Sequence, residues 1–334
     1  MKKLTVLFLV LMLLVPAAFV VAGGKQETPT EGMEEVRDSE YSYYVVTHGG
    51  PGDPWWGGTF NNGIEAAQEY FSGTEIQWLG PDTYSVQEQV DMLNTAIDAE
   101  PDGLVVTIPD VKAFDEPLRR AHDMGIPIIT VNVTDDRDPM ERIPYLCYVG
   151  GDEYEQGYQS GIRMMQEFDG EKPERAVVLI HQPGHAGLEL RAEGFADAME
   201  GVEVEKLAGT SNEPENYQAL EAFLTRNEDT EVVFTLGPLG AHPTIQLFDD
   251  EDYWDDIKFG TIDLSDDIIS SIEDGKMVFG TDQQAWLQAF LPIGLLNLYN
   301  DFGLVPSGTI LTGPDMVDES NVDMAREGVE KGWR

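Results

Sequence analysis

The sequence predicts an α/β protein built from two doubly wound parallel-sheet lobes, and three observations carry that prediction. Short apolar, β-branched runs alternate with helical patterns from Tyr41 onward, the order that yields parallel strands with right-handed crossovers. After Gly150-Gly151, a pair suited to a hinge, the same alternation begins again. The chain has 334 residues, enough for two such cores. Two similar lobes joined by more than one crossing suggest closure around a ligand.

The first strand is residues 43–47, and Gly49, Gly50, Pro51 and Gly52 stop it with turn-forming residues. Asp53 suits an N-cap and Pro54 the first helical position, so a helix should start there. Trp56, Phe60, Ile64, Ala67 and Phe71 recur at helical spacing as its buried face. Trp55 falls off that stripe, at the carboxyl end of a parallel strand, where open α/β sheets bind ligands. Trp56 fits either the core or the cleft. Gly50 and Gly52 supply two positions of a dinucleotide fingerprint, but its third glycine is Trp55, so that motif fails.

A second strand spans 75–79, and Ser85 with Glu88 forms a capping box for a helix with Val86, Val90, Leu93 and Ile97 on one face. Strand 103–108, a helix over 113–124 ending at Gly125, and strands 127–133 and 145–149 complete the first run. The second run has strands at 176–180, 202–207, 232–236, 257–263 and 277–280, with helices near 153–167, 188–199, 216–225 and 265–274. The helix 286–302 and strand 309–312 find no partner in the second run and are candidates to return to the first.

Residues 1–22 carry two lysines, an apolar run from Leu4 and a Val20-Val21-Ala22 end, which reads as an export signal. An uncleaved anchor is the alternative, and Pro16, Ala17, Ala18 and Ala22 favour cleavage. No cysteine stands at the cleavage point, which argues against a lipoprotein, and residues 23–40 read as a flexible spacer. A soluble extracytoplasmic protein is expected. Cys147 is the single cysteine and should be a buried strand residue. A formal charge of −42, from 62 acidic and 20 basic residues, excludes nucleic-acid and anionic-membrane partners. Its even spread along the chain suggests adaptation to salt.

Several motifs together carry a family resemblance. Asp53-Pro54-Trp55-Trp56, Pro101-Asp102-Gly103-Leu104-Val105-Val106, the segment from Gly125 to Asn132, Arg191-Ala192-Glu193-Gly194-Phe195, Asp263 at a strand end and Asp282-Gln283-Gln284 stand in order and at family spacing. The chain thus resembles the type I periplasmic binding proteins of the ribose-binding kind, the substrate receptors of simple-sugar ABC importers. The resemblance implies two lobes joined by a three-strand hinge, with the ligand in the interlobe cleft. It places the crossings near Gly150-Gly151, Asp282-Gln283 and Leu311-Thr312. The lobes would then be 41–150 with 284–311, and 151–283 with 312–334.

A sugar offers apolar faces and a rim of hydroxyls, so its pocket needs aromatic plates and planar hydrogen-bonding groups. Trp55 and Trp56, beside Asp53, would supply plates. Asn132 and Asp263 each end a strand, and family position makes both hydroxyl ligands, as it does Gln283 at a crossing. Asp263 has a helix cap as its other reading, and the Asn132 sequon is discounted inside a cleft. Thr107 and Asp110 flank Pro109 and should line the pocket, although Asp110 also suits a cap. Arg191 either reaches hydroxyls or pairs with Glu193. Glu189 stands where the ribose receptors carry arginine, Gly237 where they carry asparagine, and Asn132 where they carry aspartate, which points to another pentose, a hexose or a polyol.

His181 and His185 have the i, i+4 spacing of a zinc pair, but Pro183-Gly184 prevents the helix it needs, so one or both should border the cleft instead. The acidic run 249–256 lacks a calcium-loop glycine and reads as solvated surface. No Gly-x-Ser-x-Gly elbow is present, and no catalysis, metal or cofactor is expected. The expected role is a monomeric receptor that closes on a sugar or polyol and presents it to a membrane permease. A sensor feeding a chemoreceptor or kinase, and a secreted carbohydrate enzyme, are the alternatives.

Overall fold

A computed structural model describes residues 40–334; the expected signal and residues 23–39 of the spacer lie outside the described residues. In the first half, β1 (Tyr41–Val46), α1 (Asn61–Tyr70), β2 (Thr74–Leu79), α2 (Val86–Asp98), β3 (Gly103–Val106), α3 (Val111–Asp123), β4 (Ile128–Val131) and β5 (Cys147–Gly150) alternate. The second half continues with α4 (Glu153–Met165), β6 (Arg175–Ile180), α5 (Ala186–Ala198), β7 (Glu203–Ala208), α6 (Glu213–Arg226), β8 (Thr230–Thr235), α7 (Pro238–Glu251), β9 (Lys258–Ile262), α8 (Asp266–Glu273) and β10 (Phe279–Asp282). Then come α9 (Ala285–Phe302), β11 (Gly308–Leu311), β12 (Asp315–Val317) and α10 (Val322–Glu330).

The strands form two six-stranded sheets, ordered β11-β5-β4-β3-β1-β2 and β12-β10-β9-β8-β6-β7. All pairings are parallel except β10 with β12. Each sheet carries apolar clusters: Tyr43, Val105 and Ile129 with Leu296 of α9, and Val46, Leu104 and Phe114, belong to the first. Val233, Phe248 and Phe259, and Val178, Phe195 and Phe234, belong to the second. Among the described residues the chain passes between sheets three times, after β5, after β10 and between β11 and β12. Helix α9 packs on α1, where a Cβ at Gly63 would meet the Trp286 carbonyl at 2.5 Å, so glycine permits the approach.

The Asp-Pro start works as expected at its cap: Asp53 Oδ1 accepts the Trp55 and Trp56 backbone N–H groups at 2.9 and 3.2 Å. The turn that follows, Trp56–Phe60, is π-wound, and the regular helix begins only at Asn61. The Gly57-Gly58 pair allows that widened turn, since a Cβ at Gly57 would lie 2.2 Å from the Pro51 carbonyl oxygen. Helix α7 has no counterpart in the sequence reading, where Pro238, Gly240 and Pro243 hide it. Pro238 occupies the first helical position, and the Leu239 carbonyl that Pro243 cannot serve accepts Asn216 Nδ2–H at 2.9 Å. Strand β12 and helix α10 also went unpredicted.

Candidate functional site

The site is built from strand ends. Asn132 follows β4 and Asp263 follows β9, the third strand from the edge in each sheet order, and both take left-handed backbone, with φ of 62° and 71°. Asn and Asp tolerate that conformation better than other non-glycine residues, and it turns each side chain off the strand line. The parallel is audible in sequence as Thr130-Val131-Asn132 and Thr261-Ile262-Asp263, and again in His48 after β1 and His181 after β6. This short repeat between halves was not recognised in the sequence.

Between the sheets lies a narrow cavity lined by Asp53, Trp55, Trp56, Asn132, His185, Arg191, Gly237, Asp263 and Gln283 among the expected residues. His48, His181, Gln182, Leu188, Leu236, Pro238 and Leu239 complete the lining. Trp56 is 3% exposed and belongs to the first core while touching the cavity. A Cβ at Gly49 would sit 2.2 Å from its Cδ1, so the indole rests on bare backbone. Trp55 is half-buried, its ring perpendicular to Trp56 at 4.4 Å.

A continuous polar network crosses the cavity. Asp263 Oδ1 accepts Trp55 Nε1–H at 2.8 Å and Gln283 Nε2–H at 2.7 Å. Gln283 Oε1 accepts from Arg191 Nη2 at 2.7 Å and from Asn132 Nδ2 at 3.4 Å. Gln288 Oε1 also accepts from Asn132 at 3.2 Å, while its Nε2 donates to Thr312 Oγ1 at 3.1 Å, fastening the site to the third crossing. Burial lifts the Asp263 carboxyl to about 7, against the opposing pull of Arg191.

Arg191 corrects one expectation. Its partner is Glu153 of α4, not Glu193; Nη1 donates to the Leu236 carbonyl at 3.1 Å, and Nη2 to Gln283. Residues i and i+2 do not face each other on a helix, which is why Glu193 is out of reach. The guanidinium is thus engaged on every side, and its charge is met by a buried carboxylate.

Three expected residues do not line the cavity. Asp110 is exposed and caps α3, accepting from Lys112 and Ala113 N–H at 2.9 and 3.2 Å. Thr107 is fully buried behind His48, where its hydroxyl meets His48 Nδ1 at 3.0 Å and Gln89 Nε2 at 2.9 Å. Glu189 turns outward to the Gly184 N–H at 3.2 Å and to Lys206. Gly237 contributes space: a Cβ there would stand 3.0 Å from the His181 ring and 3.5 Å from Asp263 Oδ2.

Histidines are the group that sequence reasoning underused. His48 Nε2 and His185 Nε2 meet at 3.2 Å, and His181 lies buried beside them with Nδ1 unpartnered. Burial and the nearby Arg191 push His181 and His185 down to about 3, so all are neutral donors or acceptors near pH 7.

The comparisons agree with this architecture. The family described as periplasmic binding protein domain matches residues 44–301. The xylose/arabinose-binding protein XylF of Sulfolobus acidocaldarius is 27% identical over 259 residues, 74% of this chain and 64% of that relative's length. A carbohydrate transporter from Acidothermus cellulolyticus 11B, solved in complex with myo-inositol, superposes with a TM-score of 0.80 at 26% identity, covering 88% of this chain and 100% of the other. A periplasmic sugar-binding protein of an ABC sugar transporter from Legionella pneumophila gives 0.75 at 29% identity, covering 82% and 99%.

Proposed function

The chain belongs to the periplasmic binding protein family, and from that premise we propose that it is the extracytoplasmic receptor of an ABC importer for a neutral simple sugar or polyol. The observation that carries this reading is the network from Trp55 through Asp263 and Gln283 to Arg191 and Asn132, which joins an aromatic plate to planar hydrogen-bonding groups around one cavity. Hydroxyls can join such a network as both donors and acceptors, and a ring face lies against an indole. Neutrality follows from charge: Arg191 is committed to Glu153 and the lining histidines are uncharged, so among the described residues that line the cavity no free cation awaits a carboxylate or phosphate.

In this reading the lobes are 41–150 with 284–311 and 151–283 with 312–334, and they turn about the three crossings. Trp55 and Trp56 contact the ring, Asn132, Asp263 and Gln283 take hydroxyls, and His185, with both ring nitrogens engaged, borders the ligand without bonding it. Thr107, Asp110 and Glu189 drop out of the set. The closed form is what the permease meets. The known ligands of the relatives, xylose or arabinose and myo-inositol, set the first compounds to try. Calorimetric titration in high salt with D-xylose, L-arabinose, myo-inositol, D-glucose and D-glucuronate is the test. Micromolar binding, about 8 kcal/mol, is expected for at least one neutral compound and none for glucuronate. Silence from every neutral compound, or preference for the acid, would sink the reading.

A further inference from the structure

We propose that the His48–His185 contact is a proton-sensitive latch: it joins the two lobes while both imidazoles are neutral, and one added proton opens the cleft and frees the ligand. The release step rests on the sugar-receptor reading above; the latch itself rests on geometry. His48 follows β1 in the first lobe and His185 caps α5 in the second, and their Nε2 atoms are 3.2 Å apart. Close by, the Ala186 N–H donates to the Pro109 carbonyl at 3.2 Å, a second bond between the same two regions.

The hydrogen bonds fix where each proton sits. Leu188 N–H donates to His185 Nδ1 at 3.3 Å, so that nitrogen is an acceptor and the ring's hydrogen is on Nε2, aimed at His48. His48 Nε2 must then accept, which places its own hydrogen on Nδ1, donated to Thr107 Oγ1 at 3.0 Å. Every junction of the chain from Leu188 to Thr107 holds one hydrogen. A further proton has two places to go. On His48 Nε2 it confronts the His185 hydrogen; on His185 Nδ1 it confronts the Leu188 N–H. Either choice breaks a bond on which closure or the cap depends.

The surroundings give no compensation. From the second lobe, Arg191 and His181 face the pair and both disfavour a charge there, while the Glu153 carboxyl, which shares the Gly187 surface with the His185 ring, is already paired with Arg191. From the first come the edges of Trp56 and Tyr84, at 4.8 and 6.2 Å from the His48 ring, together with Thr107. Asp53 and Asp263 line the same cavity, but Asp53 bonds Trp55 and Trp56 backbone and Asp263 bonds Trp55 and Gln283. Asp110 is exposed at the α3 cap, and its carboxylate acts on the Tyr84 hydroxyl.

The sign follows from linkage. An exposed imidazole titrates near 6.5, whereas the closed pair is held far lower, so the open form takes up the proton. Closure is unaffected above about pH 7 and weakens about tenfold per pH unit below about 6.5 for each ring that titrates. Asp263 and Asp282, raised to about 7 and about 6, act in the opposite sense, since their protonation favours the buried state. The latch is therefore read as a difference between the wild type and variants that share those carboxyls.

His48→Gln removes one titrating ring, and His185→Asn removes the other while retaining a side chain that caps a helix. Dissociation constants for D-xylose, L-arabinose and myo-inositol are measured at pH 7.5 and 5.0 in constant high salt. The acid-to-neutral ratio should be about 30-fold larger in the wild type than in either variant, 1.5 pH units below the free value at one proton. Calorimetry at pH 5.5 in two buffers of different ionisation heat should show the wild type releasing about one more proton on binding than His48→Gln. Ratios within threefold of each other and equal proton counts, with variants folded by circular dichroism, overturn the latch. If no sugar binds the wild type at pH 7.5, the sugar reading has failed instead. The latch is then judged by small-angle scattering of the ligand-free protein, where equal radii of gyration at both pH values overturn it.

Discussion

Replacing Trp55 by Phe removes the indole N–H and leaves an aromatic face in place. That N–H is donated to Asp263 Oδ1 at 2.8 Å, tying the first half of the chain to the second. A hydrogen bond to an ionised acceptor contributes about 1.5–3 kcal/mol and one to a neutral acceptor about 0.5–1.5. With the Asp263 carboxyl raised to about 7, both forms are populated at neutral pH. The expected loss is about 1–2 kcal/mol, a 5- to 30-fold weaker affinity. Trp55→Ala also loses the plate: a tryptophan buries about 150–250 Å² when fully covered, and half of that at 25 cal/mol per Å² adds about 2–3 kcal/mol. Titration calorimetry at pH 7.5 with a sugar that binds the wild type measures both. A double-mutant cycle of Trp55→Phe with Asp263→Asn should give a coupling of about 1–2 kcal/mol. Coupling below about 0.3 kcal/mol, or an alanine variant within threefold of wild type, would show that the indole is neither tether nor plate.

Glu153→Ala leaves the buried Arg191 guanidinium without its carboxylate and should lower the unfolding free energy by about 3–5 kcal/mol, read by urea denaturation; a loss under about 1 kcal/mol contradicts the pairing. Gly49→Ala drives a methyl into the Trp56 ring, so a cost of about 1–3 kcal/mol and a shifted tryptophan emission are expected, and an unchanged spectrum counts against that packing. The charge of −42 predicts a melting temperature that climbs with salt and levels off near 1 M, where screening acts over about 3 Å; a flat profile from 0.1 to 2 M removes the salt-adaptation reading.

Much of the site is legible in sequence because backbone and chemistry demand the same residue types. Asn132 and Asp263 stand where a strand ends in left-handed backbone, and Asn and Asp are the side chains that fit there. Trp55 is visible because it breaks its helix stripe. What sequence could not supply is pairing at a distance. Arg191 meets Glu153, 38 residues away, because α4 packs on α5, and local inspection offers only Glu193. Asp110 shows the reverse problem: a residue at a strand-to-helix junction has two uses, and the free backbone N–H groups of α3 claimed its carboxylate. Helix α7 was concealed because two prolines and a glycine read as loop unless the partner of the freed Leu239 carbonyl is known.

The position of Gln283 has a kinetic side. It follows β10 at the second crossing and also bonds Asp263 and Arg191. A point beside a rotation axis hardly moves when two bodies turn about it, whereas displacement grows with distance from that axis. Under the proposed closure, Gln283 and its bonds to Asp263 and Arg191 stand ready in the open receptor, while Trp55 swings in from the far side. An incoming sugar would engage its hydroxyls at the pivot first and gain its aromatic cover last. Early contacts would then select the ligand, and the last would set how long it stays.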